Sequence, residues 1–423
     1  MDANDKVILA MREQWGQDTA VSLSCIDRRH HVYVVGKSGT GKTTLLRNLI
    51  LQDIESGRGV GVIDPHGDLA ADILDYIPRA RTGHVVYFDP SDNEHPIAFN
   101  ILAGVPRDRR HLVASGVVAA FKGIFPEFFG PRMEYIFYAA VAALLDCENV
   151  SLLSLQRMLS DERYRTWVVK QVKDPIVRAF WEREFESHDK RTKAEIVAPI
   201  LNKIGPMLMS PQLRHILGQI QHRVDARFMM DNRRIFIANL SKGKLGADKA
   251  NLLGSFLITH FQLAAMSRAD VQEEDRCDFF LFVDEFQSFV SDSFASLLSE
   301  ARKYRLSLTL SHQYLNQLRP EIRDAVMGNV GSLVAFRVGH EDAETLERAF
   351  GRTYSASAFT SLNNREVYAK LLSDGHDKEP FLGRTLPPHD KRHNRSHAIL
   401  CTSRQKYSRK REVVERRIER WMR

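Results

Sequence analysis

Residues 31–46, HVYVVGKSGTGKTTLL, carry the clearest fold signal in this 423-residue chain. Its first residues form a short apolar, β-branched run, which predicts a buried strand. Gly36 to Thr43 then match the pattern G-x-x-x-x-G-K-[ST] at every fixed position, and a segment with helical spacing follows. A strand, a glycine-rich loop and a helix in this order form the context of a phosphate-binding loop, so we expect a nucleotide site here.

Each residue type in this loop has a chemical reason. The glycines let the backbone wrap closely enough for its N–H groups to surround a phosphate, and the helix N-terminus favours an anion. We expect Lys42 to reach the β- and γ-phosphates and the Thr43 hydroxyl to ligate Mg²⁺. The predicted nucleotide-binding residues are Gly36, Lys37, Ser38, Gly39, Thr40, Gly41, Lys42, Thr43 and Thr44.

The second half of such a site should be an acidic residue at the end of a buried strand. Asp284 ends the run FFLFVD and Glu285 follows it. We predict that Asp284 holds Mg²⁺ through water and that Glu285 activates the attacking water as general base. Asp64, at the end of GVGVID, is a rival metal ligand, but Asp64-Pro65 is interpreted first as a turn.

The lack of a guanine-recognition motif favours ATP over GTP. A GTPase reads its base with N-K-x-D, and the nearest string, Asn202 to Gly205, lacks the Asp. We therefore expect ATP with Mg²⁺ as the ligands.

Apolar strands that alternate with helices predict an α/β fold with a mainly parallel sheet. From about Pro106 to Arg227 only helix-like segments appear, which predicts an all-α inserted domain. Single helices are expected over 68–77 and 292–304, and 352–402 is interpreted as loop-rich. The predicted organisation is an N-terminal helical segment (1–24), a nucleotide-binding domain (25–105 and 228–385), the all-α domain (106–227), and a C-terminal loop with a basic helical tail (386–423).

Composition narrows the class of protein. Apolar residues make up 43% and charged residues 27% of the chain, which is ordinary for a globular protein. The start is mixed and acidic, unlike a signal peptide, and no apolar run approaches the ~18–20 residues of a spanning helix. Cys25, Cys147, Cys277 and Cys401 are widely spaced, so we expect a reducing compartment. Together with the lack of a long apolar run, this predicts a soluble, cytoplasmic protein. His30, His31 and His66 flank the loop without metal spacing and are interpreted as structural or solvent-facing.

The net charge of +7 is concentrated at the end of the chain. Residues 403–423 carry nine Lys/Arg and three Glu, so the rest of the chain is nearly neutral. This tail has helical spacing. Its basic face could hold nucleic acid or an acidic membrane surface, while i,i+4 pairs such as Arg411–Glu415 also suit a plain surface helix, and both interpretations stay open.

Taken together, these strings resemble the FtsK/HerA branch of P-loop ATPases, and within it the conjugative coupling proteins of type IV secretion (the TraG/TraD kind, with a TraM-recognition-type segment). The resemblance covers roughly residues 24–385 and implies a RecA-like P-loop ATPase core. The strings that carry it are HVYVVGKSGTGKTTLL, VGVIDPHGDL, HPIAFNIL, FFGPRMEYIF, RIFIANLSKGKLG, FLFVDEFQSF, SEARKYRLSLTLSHQYLNQL and GSLVAFRVGHEDAETLERAFG.

The resemblance implies roles for further residues. Gln313 corresponds to a polar sensor that reads the γ-phosphate or positions water. Arg302 corresponds to an arginine finger that reaches the ATP of the neighbouring subunit, with Arg337 as a second candidate. Members of this branch form hexameric rings that pull DNA through a central pore, and Lys242 and Lys244 are candidates to face that pore.

The implied function is an ATP-hydrolysing, hexameric DNA translocase or coupling ATPase that acts in conjugative DNA transfer. Its expected partners are DNA, other copies of the chain, and DNA-processing or secretion-channel proteins that dock on the all-α domain. Coupling proteins of this kind usually carry N-terminal membrane helices and this sequence shows none, so we expect membrane contact only through a partner, at the inner face of the membrane. Two alternatives stay open: a soluble HerA-like motor in DNA repair or phage defence, and a protein-secretion ATPase without DNA.

Overall fold

The structure, a computed structural model, describes residues 6–290 and 294–423. Its main feature is an eleven-stranded sheet with the order β2-β1-β13-β10-β9-β3-β8-β7-β4-β6-β5, beside a separate two-stranded ribbon of β11 and β12. The strands are β1 (Lys6–Gln14), β2 (Gln17–Ser24), β3 (Val32–Val35), β4 (Gly59–Asp64), β5 (Val85–Phe88), β6 (Ile235–Asn239), β7 (Phe279–Val283), β8 (Leu306–His312), β9 (Ser332–Ala335), β10 (Glu366–Lys370), β11 (Leu372–Ser373), β12 (His376–Asp377) and β13 (Phe381–Thr385).

The centre of the sheet is parallel. Strands β9, β3, β8, β7, β4 and β6 pair in parallel register, and every residue of β3, β4, β7 and β8 is buried. Strands that are buried along their whole length are typical of a sheet covered on both faces. The prediction of an α/β fold with a mainly parallel sheet is confirmed.

Nineteen α-helices lie within the described residues. They are α1 (Cys25–Arg28), α2 (Lys42–Glu55), α3 (Asp68–Ile73), α4 (Arg110–Ile124), α5 (Pro131–Leu145), α6 (Leu152–Ser160), α7 (Glu162–Gln171), α8 (Pro175–Ala179), α9 (Lys190–Met209), α10 (Pro211–Leu217), α11 (Ala226–Asp231), α12 (Lys242–Leu245), α13 (Ala247–Ser267), α14 (Phe294–Glu300), α15 (Pro320–Asn329), α16 (His340–Ala349), α17 (Ala356–Thr360), α18 (Ser396–Tyr407) and α19 (Arg411–Met422).

Two compact units make up the chain. The first contains Met1–Tyr87, Ala226–Asn239 and Ala264–Thr402 and includes nearly all of the sheet. The second contains Phe88–Asp225, Leu240–Leu263 and Ser403–Arg423 and is helical. The helical unit therefore includes residues 106–225 of the segment 106–227 that the sequence marked as helical. It also includes residues 88–105, most of α13 and the tail, which the predicted domain boundaries had placed elsewhere.

The predicted N-terminal helix is wrong. Residues 6–24 form a β-hairpin, β1 and β2, and β1 also pairs with β13. The turn is two residues long, Trp15 and Gly16, with φ of 55° and 76°. Positive φ at both central residues is what a type I′ hairpin turn requires, and its twist matches that of the flanking strands. Residues 1–5 of the predicted segment lie outside the described part.

The segment 352–402 is also more ordered than predicted. It supplies β10 and β13, which pair antiparallel with each other and extend the sheet from β9 to β1. The helix expected over 68–77 ends at Ile73 and continues as a 3₁₀ turn over Leu74–Tyr76. Of the helix expected over 292–304, α14 covers Phe294–Glu300 and a 3₁₀ helix covers Ala301–Tyr304, while residues 292 and 293 lie outside the described part.

The strand order positions the site. Strand β8 lies between β3 and β7, so the residues that follow these three parallel strands meet at one edge, here called the carboxyl edge of the sheet. Ligands of open parallel sheets bind at this edge. Among the described helices, none combines the length and apolarity that crossing a membrane demands.

Candidate active site

The glycine-rich loop follows β3 at the carboxyl edge and needs its glycines for two reasons. Gly39 and Gly41 have φ of 76° and 119°, which favours residues without a Cβ. Gly36 lies against Phe336, where an added Cβ would come within 2.5 Å of the Phe336 Cβ. The amide of Lys37 donates to the Arg337 carbonyl at 2.8 Å, which ties the loop to the end of β9.

Lys42 begins α2 and is buried at the centre of the loop. Its Nζ donates to the carbonyl oxygens of Gly36 at 2.6 Å and Lys37 at 3.1 Å. Burial lowers the pKa of Lys42, and the nearby Glu285 and Asp284 carboxylates oppose that effect. The hydroxyl of Thr40, also buried, donates to the Lys37 carbonyl at 2.8 Å. The exposed residues of the loop are Lys37, Ser38, Gly39 and Thr43.

Asp284 follows β7, two strands away from the loop strand. Its amide donates to the Ile63 carbonyl of β4 at 3.1 Å, and its side chain is buried. Burial, followed by the charges of Asp64 and Glu285, raises the pKa of Asp284 from 3.8 to about 6, while Lys42 acts in the opposite direction. A carboxylate held in its charged form at a cost is typical of a site that receives a cation.

Asp64 lies near Asp284, and each of its carboxylate oxygens accepts a hydrogen bond from a backbone amide. Oδ1 accepts from the amide of His66 at 2.8 Å and Oδ2 from that of Ala70 at 2.9 Å. These bonds close the turn after β4 and satisfy the first turn of α3. The interpretation of Asp64 as a turn residue is confirmed by this geometry.

Glu285 has the left-handed backbone conformation, with φ 44° and ψ 48°, and its side chain is buried. Both carboxylate oxygens accept hydrogen bonds from side-chain amides. Gln313 Nε2 donates to Oε1 at 3.0 Å, and Gln287 Nε2 donates to Oε2 at 2.6 Å. Gln313 directly follows β8, so the structure brings this predicted sensor into contact with the predicted base.

Arg302 does not join this cluster. It lies in the 3₁₀ helix that leads into β8, and its Nη1 donates to His30 Nδ1 at 3.0 Å. His30 precedes β3, whereas the glycine-rich loop follows β3, so the strand's four residues, about 13 Å, separate them. Arg302 is exposed at the opposite edge of the sheet.

Two other arginines lie at the carboxyl edge. Arg337 follows β9, and its Nη1 donates to the Leu362 carbonyl at 3.4 Å. Arg365 precedes β10; its amide donates to the Thr40 carbonyl at 2.9 Å, and its Cγ lies 3.5 Å from the Cβ position of Gly41. Arg337, unlike Arg302, is therefore next to the loop of its own chain.

The histidines around the site are structural. His31 Nδ1 accepts from the Leu308 amide at 3.1 Å, so Nε2 carries the proton and donates to the Leu298 carbonyl at 2.9 Å. Burial lowers the pKa of His31 to about 4 and that of His312 to about 3. Residues 6–290 and 294–423 contain no cluster of three or more His, Cys, Asp or Glu that could hold a metal.

The predicted DNA contacts differ in exposure. Lys242 and Lys244 lie on α12, where Lys244 is exposed and Lys242 is half-buried. In the tail, α19 buries Val414 and Ile418, and Arg411 pairs with Glu94 at 3.0 Å. The tail thus packs within the helical unit and uses part of its charge in ion pairs, while Arg416, Arg417 and Arg420 stay exposed.

Sequence reasoning missed two residues of the site, Gln287 and Arg365. Gln287 belongs to the string DEFQ, but its hydrogen bond to Glu285 depends on the left-handed backbone conformation of Glu285. A glutamate in the sequence does not predict that conformation. Arg365 carried no signal, because it reaches the loop through the pairing of β10 with β9, far along the chain.

Comparisons with known proteins give a result only at the level of structure. No protein-family model matches this sequence, and no curated protein matches it either. The bacterial conjugative coupling protein TrwBdeltaN70 superimposes with a TM-score of 0.66 at 14% identity, over 93% of this chain and 91% of its own. TrwB in complex with ADP and Mg²⁺ gives a TM-score of 0.63 at 14% identity, over 92% and 96%.

VirB4 of Thermoanaerobacter pseudethanolicus gives a TM-score of 0.56 at 14% identity, over 92% of this chain and 98% of its own. At these identities the likeness concerns the fold. The resemblance to type IV secretion P-loop ATPases that the sequence indicated is thus confirmed at that level: the chain has the fold of the conjugative coupling protein TrwB and of VirB4.

Proposed function

We propose that this chain is an ATPase that moves DNA through the pore of a hexameric ring, in conjugative DNA transfer. The observation that carries the proposal is the meeting of Lys42, Asp284, Glu285 and Gln313 at the carboxyl edge of one parallel sheet, beside a complete phosphate-binding loop. The fold shared with TrwB over nine-tenths of the chain supports the coupling role.

The residues present fit ATP with Mg²⁺. The loop's positive-φ glycines, Gly39 and Gly41, form a cradle in which side chains would be strained, and Thr43 and Asp284 offer the oxygen donors that Mg²⁺ prefers. When bound, Mg²⁺ neutralises charge on the phosphate oxygens. The Lys42 ammonium group, which donates to loop carbonyls, would turn to the phosphates, because their charged oxygens accept its hydrogen bonds more strongly.

Glu285 is the general base in this proposal. Its carboxylate takes a proton from water, and Gln313 orients it through the 3.0 Å bond to Oε1. Arg302 serves a neighbouring copy, because it lies at the opposite edge of the sheet from its own loop. A finger supplied in trans makes hydrolysis depend on the ring.

The DNA and protein partners are proposed from less direct observations than the ATPase site. DNA in the pore would meet Lys244, which is exposed on α12. DNA-processing or secretion-channel proteins would dock on the helical segment 106–227, and such a partner would provide the link to the inner face of the membrane.

A protein-secretion ATPase is the second candidate. It is favoured by the near-neutral charge outside the tail and by the fold shared with VirB4. DNA dependence separates the two candidates, because phosphate contacts make binding and stimulation steeply salt-dependent.

The test is ATP hydrolysis by the full chain with single-stranded, double-stranded and no DNA, over a range of salt. Lys42→Ala should abolish nucleotide binding, and Glu285→Gln should keep binding but lower the hydrolysis rate by about 10²–10⁴-fold. Lys378→Ala and Glu379→Gln, both at exposed positions, are the matched controls. Hydrolysis that ignores DNA at every salt concentration would contradict translocation and favour the secretion candidate.

A further inference from the structure

Gln287 brings a second side-chain amide to the carboxylate of Glu285. Gln313 occupies Oε1 at 3.0 Å, and Gln287 occupies Oε2 at 2.6 Å. We propose that Gln287 is a positioning residue for ATP hydrolysis, which together with Gln313 fixes the plane of the Glu285 carboxylate toward the attacking water. This inference rests on the proposed function and assigns a residue that neither the motif nor the family resemblance singled out.

The backbone delivers Gln287 to this place. The left-handed conformation of Glu285 starts a 3₁₀ turn over Phe286–Ser288, in which the Ser288 amide donates to the Glu285 carbonyl at 3.0 Å. A non-glycine residue in this conformation is strained and persists only where its surroundings enforce it. The turn therefore has a cause beyond local preference.

The packing of Phe286 holds Glu285 in this conformation. Its ring is fully buried, and it contacts the rings of Tyr33 at 6.2 Å, His312 at 5.2 Å and Phe294 at 5.7 Å between centroids. With Phe286 anchored in the core, the residue after it is carried back toward the Glu285 side chain. The anchored 3₁₀ turn thus places Gln287 beside the Glu285 carboxylate.

Two hydrogen-bond donors restrict the Glu285 carboxylate more than one donor can. The terminal torsion of a glutamate is broad, so a carboxylate held at one oxygen can still rotate. Donors on separate oxygens define the carboxylate plane. Each oxygen has a second lone pair, so the carboxylate can still accept a proton from water.

The amide of Gln287 brings no packing advantage. Its Nε2 donates to Glu285, but its Oε1 is buried and has no hydrogen-bond partner in the described part of the chain. A methionine of similar length would fill the same space without a buried unpaired acceptor. The contact with Glu285 is what the amide supplies.

This contrast gives a sharp experiment on the full chain. Gln287→Met should lower kcat by about 10-fold, because small displacements of catalytic groups carry large rate effects. KM for ATP should stay within about twofold, since no binding contact is lost. The thermal midpoint should change little, because the hydrogen bond lost at Glu285 Oε2 is offset by the removal of the unpaired Gln287 Oε1. Gln272→Met, at an exposed position of the same unit, should match the unmodified protein in all three measurements.

A double-mutant cycle separates positioning from a general structural effect. In the Glu285→Gln background, measured by single-turnover hydrolysis, Gln287→Met should cause no further loss, because its target carboxylate is gone. An unchanged or increased kcat of Gln287→Met, or the same loss in both backgrounds, would overturn the inference. If the unmodified chain failed to hydrolyse ATP, the proposed function itself would fall. Normal hydrolysis that is lost in Glu285→Gln but kept in Gln287→Met would refute only the role of Gln287.

Discussion

Arg302 Nη1 donates a hydrogen bond to His30 Nδ1 at 3.0 Å, which fixes Arg302 at the amino edge of the parallel strands. The phosphate-binding loop of the same chain lies beyond the other end of β3. An arginine in this position cannot serve its own loop without leaving its place in the fold. The proposed function therefore assigns Arg302 to the site of a neighbouring copy.

The first prediction concerns this arginine. Arg302→Ala should lower hydrolysis by roughly 10³-fold, as expected for an arginine finger, while ATP binding persists. Mixing Arg302→Ala with Lys42→Ala protein should restore part of the activity, because an intact loop in one copy can meet an intact Arg302 in the next. The measurement is steady-state hydrolysis as a function of the mixing ratio.

Arg79→Ala, at an exposed position in the same unit, is the control and should keep full activity. Full activity of Arg302→Ala by itself, or mixtures no more active than their components, would contradict the shared site. Retained Arg302→Ala activity together with loss in Arg337→Ala would instead assign the finger to the arginine beside the loop.

The second prediction concerns the buried carboxylate of Asp284. Its pKa is raised from 3.8 to about 6, so the folded chain binds more protons than the unfolded chain between these pH values. The charged form therefore lowers stability most above pH 6. Asp284→Asn should stabilise the nucleotide-free protein at pH 8 by roughly 1–3 kcal/mol, and the gain should vanish below about pH 4. Denaturant unfolding measures it, with the exposed Asp390→Asn as control; a loss of stability at pH 8 would contradict it.

The third prediction concerns acid stability. Burial lowers the pKa of His31 to about 4 and those of His260 and His312 to about 3. The unfolded chain takes up these protons near the ordinary value of about 6.5, so stability should fall as the pH drops from there toward 4. The lowered pKa values of these three histidines reduce stability at acid pH by more than the raised pKa of Asp284 increases it. The thermal midpoint should therefore be lower at pH 5 than at pH 7.5, and the reverse order would be inconsistent with neutral buried histidines.

The fourth prediction concerns the close approach of the loop to β9. In Gly36→Ala the new Cβ would lie 2.5 Å from the Cβ of Phe336, so the loop or the strand end must move. We expect nucleotide affinity to fall at least about 10-fold, since the loop's amides lose their register. Isothermal titration with ADP is the measurement. Gly328→Ala, a helical glycine with open space around it, should bind normally and be slightly more stable. Normal ADP binding by Gly36→Ala would show that the close contact with Phe336 does not determine the conformation of the loop.

The fifth prediction concerns DNA. Lys244 is exposed on the short helix α12. If it faces the strand in the pore, Lys244→Ala should weaken DNA binding and reduce the salt dependence by about one phosphate contact per subunit. DNA-free hydrolysis should not change. A gel-shift titration in salt measures this, with Lys378→Ala as the control, and identical slopes for the two variants would remove Lys244 from the pore.

The candidate nucleotide site of this protein could be predicted from its amino-acid sequence. The loop from Gly36 to Thr43 and the acidic pair Asp284–Glu285 are contiguous strings. Each directly follows a buried strand, which predicts its position at the edge of the sheet. The parallel core followed from the same runs. The resemblance to coupling proteins rested on such strings too, and the shared fold agrees with it.

The outer strands of the sheet and two contacts of the site depend on tertiary structure. Whether residues 6–24 and 366–385 became helix, loop or strand depended on the pairing of β1 with β13 and of β13 with β10. Strands β1 and β13 are hundreds of residues apart in the chain. The approach of Arg365 to the loop and the second amide on Glu285 follow from that pairing and from the anchored ring of Phe286. Long-range pairing leaves no local signature, because its free energy comes from contacts that exist only after the chain has closed on itself.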